Sequence, residues 1–288
     1  MSPTDSRSLH QESSDVQLRW SGRTHPGRFR RNNEDAFLTL NFDRKEIRYL
    51  GKDGEGALDD GDYIFAVSDG MGGCAGGEYA SKIATQKITE LLPKSFWLSA
   101  TGFEGGEQDL LGEVVEGIHK EIQRLSRLYE ECRGMGATLS LIWVTPKRIH
   151  FAHVGDSRIY HLPQDDPMMQ ISHDHTGPGR LFREGKINER ESKIHPARNQ
   201  LEQVLGSRNQ SLEPQIGSLI YEPGDQLVLV TDGIVDGVFD RNLENMIRNP
   251  LPKQKDVAPS QRLIDEAMFA SGKDNLTALV VEIAGEKA

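Results

Sequence analysis

Cysteine is scarce in this chain: there are two among 288 residues, Cys74 and Cys132. They show no Cys-x-x-Cys spacing and no partnering histidine, so neither a disulfide framework nor a thiolate zinc site is supported. Positive charge is also short. Lys and Arg number 34 against 44 Asp and Glu, a net charge of −10, which argues against nucleic acid or an anionic membrane as the main partner and suits a protein that concentrates cations. No apolar run approaches a membrane span, and the opening MSPTDSRSLHQESSD lacks the apolar region of a signal peptide. The expectation is a cytoplasmic protein, by default a monomer.

What is present is a regular succession of apolar runs. DAFLTL, YIFAVS, ATLSLIWV, RIHFAHV, SRIYHL, DQLVLVT and NLTALVVEI, each bounded by Gly, Pro, Asp or Asn, read as strands. Helical periodicity covers Glu78 to Leu92, Leu110 to Tyr129, Leu243 to Arg248 and Gln261 to Ala270. Strands arrive in groups with helices between the groups, which predicts an antiparallel α+β layered sandwich rather than a parallel βαβ sheet. Residues 1–15 have the composition of a disordered tail, and residues 16–285 form one expected domain. Two stretches read as irregular. Asn41 to Asp62 is glycine- and acid-rich in its second half and is expected to be a solvated hairpin loop. His173 to Gln200, mixed in charge, is long enough for a functional loop.

Acids recur at strand boundaries: NNED before AFLTL, SDG after YIFAV, GDSR after FAHV, TDG after QLVLV, and KDN before LTALVV. Any one of these is ordinary turn chemistry. Together they are harder to dismiss, because a carboxylate held near others at the end of a buried strand resists ionising, and a divalent cation relieves that cost. Carboxylates with a backbone carbonyl, without Cys or His ligands, form a hard-oxygen site suited to magnesium or manganese. In VSDGMGGCAGGE, Val67 to Glu78, the glycines beside Asp69 let the backbone come close to an ion or its waters.

RFRRNNEDAF, VSDGMGG, GMGATLSLIWV, HVGDSRIYHL, ISHDHT, QVLGS, LVLVTDGIVDGV and KDNLTALVVE follow, in order, the motifs of the PP2C-type (PPM) metal-dependent serine/threonine phosphatases. The chain resembles the bacterial members over about Val16 to Ile283. The resemblance implies an αββα sandwich of two antiparallel sheets flanked by helices. It implies two Mn2+ or Mg2+ ions, with Asp69 bridging them, the Gly70 carbonyl on one, Asp232 and Asp274 on the other, and Asp35 beside Glu34 acting directly or through water. Arg30 matches the phosphate-binding position, Asn275 follows the last metal aspartate, and residues 173–200 match the family's variable flap.

The implied reaction is hydrolysis of phosphoserine and phosphothreonine in proteins by direct attack of a water bridging the two ions, with no protein nucleophile. A cognate Ser/Thr kinase and its substrates are the implied partners. No Cys-x5-Arg loop is present, since Cys132 is followed at once by Arg133. A non-catalytic relative would have lost a metal aspartate, and all are retained; a nuclease would need a basic groove, and none is visible. Asp156 and Arg158, in GDSR, are expected to serve the turn between two strands, and His173 and His175 to be structural rather than ligands.

The chain departs from the family in two places. Many bacterial relatives carry Asp before the Met of the GMGATL-type motif, where it helps hold a third metal; Gly134 stands here, so a third site is expected to be weak or absent. Many relatives also carry His where this chain has Cys74, a position implied to protonate the leaving oxygen. A thiol beside two cations tends toward thiolate, which cannot donate. Cys74→His is therefore expected to speed hydrolysis of phosphopeptides more than of aryl phosphates, because only the alkoxide leaving group needs a proton. Parallel kinetics on the two substrates check this, and equal effects would remove position 74 from proton transfer.

Overall fold

The run YIFAV, Tyr63 to Val67, has no polar face, and a strand of that kind needs cover on both sides. The computed structural model, which describes residues 16–43, 45–72, 76–100, 106–208 and 211–285, supplies that cover. The expected tail at residues 1–15 and Cys74 lie outside the described residues. The strands are β1 (Gln17–His25), β2 (Asp35–Phe42), β3 (Ile47–Tyr49), β4 (Asp53–Ala57), β5 (Asp62–Met71), β6 (Gly136–Ala137), β7 (Leu139–Val144), β8 (Ile149–Val154), β9 (Arg158–Leu162), β10 (Met169–Gln170), β11 (Gln215–Leu219), β12 (Gln226–Val230) and β13 (Leu276–Ala284). The helices are α1 (Gly76–Ala100), α2 (Glu107–Leu128), α3 (Gly177–Arg183), α4 (Glu189–Ile194), α5 (Asp232–Gly237), α6 (Asp240–Arg248) and α7 (Pro259–Ala270).

One sheet has the order β10-β9-β12-β13-β1-β4 and the other β11-β8-β7-β5-β2-β3, with β6 paired to β5. The pairings are antiparallel. Alternation along β5 divides its side chains between two cores. Ile64 and Ala66 join Ile88, Leu111, Val115 and Ile118 of α1 and α2. Tyr63, Phe65 and Val67 pack instead against Leu229, Leu279 and Val281 of the facing sheet. The same division in β13 sends Leu276, Ala278 and Val280 toward Ile234, Leu243 and Leu263 of α5, α6 and α7. Helices, two sheets and helices thus stack as the αββα sandwich that the motif order implied.

The expectation of a loop over Asn41 to Asp62 is corrected. β3 and β4 lie there, each on the edge of a sheet. The glycines that read as loop signals are sites of close aromatic cover: a Cβ on Gly54 would meet the Trp20 ring at 2.2 Å, and one on Gly56 the Tyr63 hydroxyl at 2.2 Å. Glycine on an edge strand beneath an aromatic ring is a packing solution that a composition reading takes for a turn.

Residues 173–200 carry α3 and α4. Thr176 caps α3 by accepting from Gly179 N, and Asn188 and Glu191 form a capping box on α4, so local polar chemistry rather than an apolar stripe makes these short helices. The segment is fastened to α5 and its surroundings. Lys193 Nζ donates to the carbonyls of Val235 and Val238, Glu189 accepts from Asp240 N at 3.0 Å, and Arg198 faces Asp236 at 3.7 Å.

The start of the segment is held by Arg158, whose buried guanidinium forms an ion pair with Asp174 at 2.7 Å and reaches Asp240 at 3.3 Å. Removing one partner strands a charge in the interior. Arg158→Ala is expected to lower the unfolding free energy by about 3–5 kcal/mol, read from urea denaturation, whereas a loss of about 1 kcal/mol or less, the size of an exposed pair, would show that the tie carries no structural weight.

Candidate active site

The strand register brings the first two acids together: Asp35, at the start of β2, stands opposite Asp69, near the end of β5. β5 continues past Asp69 to Met71, so Asp69 sits within the strand rather than after it. Asp232 opens α5 behind Thr231, at the end of β12. Asp274 lies in the turn between α7 and β13, and Asp156 in the turn between β8 and β9. Asp69, Gly70, Asp156, Asp232 and Asp274 line one cleft of about 270 Å³, with Arg30 and Glu34 on its wall.

Asp35 stands behind this lining. Its Oδ2 accepts from Thr231 Oγ1 and Thr277 Oγ1, both at 2.7 Å, while its buried Oδ1 has no partner. Burial pushes its carboxyl up to about 6 against the lowering effect of the two hydroxyls. Asp69 is raised well above the carboxylate range by burial and then by Asp232 and Asp35. Burial and then Asp156 and Asp274 raise Asp232, and burial followed by Asp174 takes Asp156 to about 7.

The glycines are required by close approach. A Cβ on Gly70 would lie 1.9 Å from the Gly77 carbonyl oxygen, and one on Gly77 would lie 2.7 Å from the Gly70 oxygen and from Glu34 Cδ. Gly70 N also donates to Glu34 O at 3.1 Å. The end of β5, the NNED turn and the start of α1 therefore meet with no room for a side chain between them.

Arg30 is half-exposed, and its Nη2 donates to Asp274 Oδ2 at 2.7 Å. That bond, with the nearby acids, holds the guanidinium pKa above its ordinary value despite partial burial. Asn275 accepts from Glu34 N through Oδ1 at 2.8 Å and donates through Nδ2 to the carbonyls of Pro26 and Asn32, each at 2.9 Å.

The acids fit a hard divalent cation. The cleft presents several carboxylates, an orphaned carboxylate oxygen stands directly behind it, and the backbone is stripped of side chains beside Gly70. Among the described residues no three His, Cys, Asp or Glu side chains already stand close enough together to hold a metal ion; the acids line one cleft as neighbours.

Sequence reasoning assigned Asp156 to the turn and overlooked its place in the cleft. It overlooked too the hydroxyls of Thr231 and Thr277, which read as ordinary β-branched strand residues. The histidines of ISHDHT serve the turn that presents Asp156: His175 Nδ1 accepts from Gly155 N at 3.1 Å, and His175 N donates to Gly155 O at 2.8 Å. Burial, then Arg183, depresses His175 to about 4. Gly134 has φ +76° with open space around it, and Glu130 and Glu131 belong to a short 3-10 turn on the exposed surface.

An αββα sandwich with a carboxylate-lined cleft is the framework of a metal-dependent phosphatase, and comparison with known proteins agrees. Residues 55–268 match the model of the family described as Protein phosphatase 2C. The chain belongs to that family. It is 30% identical over 246 residues to the serine/threonine phosphatase Stp of Listeria innocua, covering 83% of this chain and 93% of that protein. It is 28% identical to the protein phosphatase PhpP of Streptococcus pneumoniae, covering 78% and 87%. Among solved structures, the Mycobacterium tuberculosis serine/threonine phosphatase PstP/Ppp superposes with TM-score 0.73 at 28% identity, covering 93% of this chain and all of that one. A PstP catalytic domain in complex with two manganese ions gives TM-score 0.71 at 28% identity, covering 94% and 100%.

The raised carboxyls set the pH dependence of the cation-free protein. Asp35 and Asp156 bind protons more tightly folded, with values of about 6 and about 7, than unfolded, where carboxyls titrate near about 4. Their contribution is complete below the unfolded value and is lost as pH rises through the folded ones. Chelator-treated protein is expected to melt at lower temperature at pH 8 than at about pH 6.5, a window above the range in which the half-buried, neutral His175 would oppose the trend, and added Mn2+ to reverse the loss at pH 8; thermal scans with and without Mn2+ check both directions.

Proposed function

We propose that this chain is a protein serine/threonine phosphatase that hydrolyses phosphoserine and phosphothreonine by direct attack of water, without a covalent phosphoenzyme. The observation that carries this reading is a set of partly buried carboxylates gathered in one cleft with Arg30 on its wall. Manganese-bound PstP, a solved relative, and the similarity to the Listeria and Streptococcus phosphatases support it.

In this reading Asp69, Asp232, Asp274 and the Gly70 carbonyl would hold Mn2+ or Mg2+, two ions by analogy with PstP, with Asp35 and Glu34 supporting them. Such cations, when bound, would lower the pKa of a bound water and neutralise charge on phosphoryl oxygens. The protein does the rest. Thr231 and Thr277 fix Asp35 by binding one oxygen and leaving the other free. Asn275 holds the NNED turn at the backbone of Glu34. Arg30 spends Nη2 on Asp274, which orients the guanidinium and leaves the other N–H groups of its fork for phosphate oxygens. No Ser, Cys or His is among the described residues lining the cleft. Substrates in this reading are proteins phosphorylated by serine/threonine kinases.

Hydrolysis of an aryl phosphate and a phosphothreonine peptide should require Mn2+, stop with chelator and return with excess metal; metal-independent turnover would overturn the reading. Asp69→Asn should remove activity at saturating Mn2+ rather than weaken substrate binding alone. Arg30→Ala should raise KM roughly ten- to a hundredfold, from the loss of a charge-assisted bond of about 1.5–3 kcal/mol, and an unchanged KM would move the phosphate contact to another residue.

A further inference from the structure

Arg30 belongs to a cationic loop whose other side chains have no assigned role. Arg28, Phe29 and Arg31 are exposed, as is Lys273 in the turn beside Asp274, and Phe29 leaves 72% of its surface open. Among the described residues Arg28, Arg31 and Lys273 form no ion pair with an acid. In a chain of net charge −10, unpaired cations gathered at the mouth of a carboxylate cleft are conspicuous.

The loop is built to stay in place. One side chain, Asn275, holds it at both ends through Pro26 O and Asn32 O, and Arg28 N donates to Gly272 O at 2.8 Å. Gly27 takes φ +79°, and any Cβ there would lie 2.1 Å from the Asp274 carbonyl oxygen. The arginines therefore keep a fixed position relative to Asp274 and the cleft. Arg28 and Arg31 flank Arg30 within this one short turn, so groups next to a phosphate held by Arg30 come near them.

We propose that Arg28, Arg31 and Lys273, with Phe29 as an apolar contact, form a docking surface for acidic residues flanking the phosphorylated serine or threonine of a protein substrate. This rests on the phosphatase reading above and adds a sequence preference to it. Charge complementarity and continuity with the cleft select a short acidic segment. The chain's overall negative charge disfavours long polyanions such as nucleic acid, which present charge well beyond the loop.

The test compares kcat/KM for phosphothreonine peptides with acidic, neutral and basic flanks, alongside an aryl phosphate, at low and high salt with Mn2+. Acidic flanks should be favoured over neutral ones by about five- to tenfold at low salt, the sum of a few exposed charge pairs, and the advantage should shrink at high salt. In the double variant Arg28→Glu, Arg31→Glu the preference should vanish or reverse, with a larger loss on the acidic peptide than on the aryl phosphate. Phe29→Ala should weaken all three peptides relative to the aryl phosphate. Equal rates on the peptides, or a preference that survives charge reversal, would overturn the docking surface and leave the phosphatase reading standing. Absence of any Mn2+-dependent turnover would overturn the phosphatase reading; fluorescence anisotropy of the same peptides on wild type and double variant then decides docking directly, equal binding of acidic and neutral peptides ruling it out.

Discussion

Mutual repulsion among neighbouring carboxylates is the constraint around which this molecule is arranged. Asp69 is pressed by Asp232 and Asp35, and Asp232 by Asp156 and Asp274, in a cleft that leaves them only partly exposed to water. Only a stiff frame keeps such groups adjacent. The β2–β5 register fixes the first pair, and paired strands of the facing sheet lead into the turns that carry the others. The frame therefore holds together charges that repel one another, and under the proposed two-metal reading affinity for a cation and instability without it would have one origin.

Two connecting segments reach the same cleft, one contributing Arg30 and the other Asn199 to its lining, and they are secured differently. Residues 26–32 are short and held by one asparagine. Residues 173–200 are long and held by charges, with Arg158 gripping Asp174 and Lys193 reaching the carbonyls at the end of α5, whose first residue is Asp232.

Much of this was legible in the sequence, for reasons that particular residues show. The strands were readable because both faces of β5 and β13 are buried, which leaves unbroken apolar runs. Asp69, Asp232 and Asp274 were readable only as a set: each alone is ordinary turn chemistry, but their recurrence at strand boundaries in the order of known motifs pointed to one cleft. β3 and β4 were missed because glycines accommodating Trp20 and Tyr63 look like glycines making a turn. Asp156 was missed because Gly-Asp-Ser-Arg satisfies the description of a turn on local grounds. The Arg30–Asp274 contact joins residues 244 positions apart, and no local pattern records a partner at that distance.

The double cover of β5 also bears on how such a protein can change. Each side chain from Tyr63 to Val67 answers to one of two packed layers, so a substitution there disturbs either the helices or the opposite sheet, and volume changes in close-packed interiors are poorly tolerated. The connecting segments at the cleft, such as the exposed residues 28–31, answer to neither layer, so a change of substrate preference written there leaves both packed cores intact.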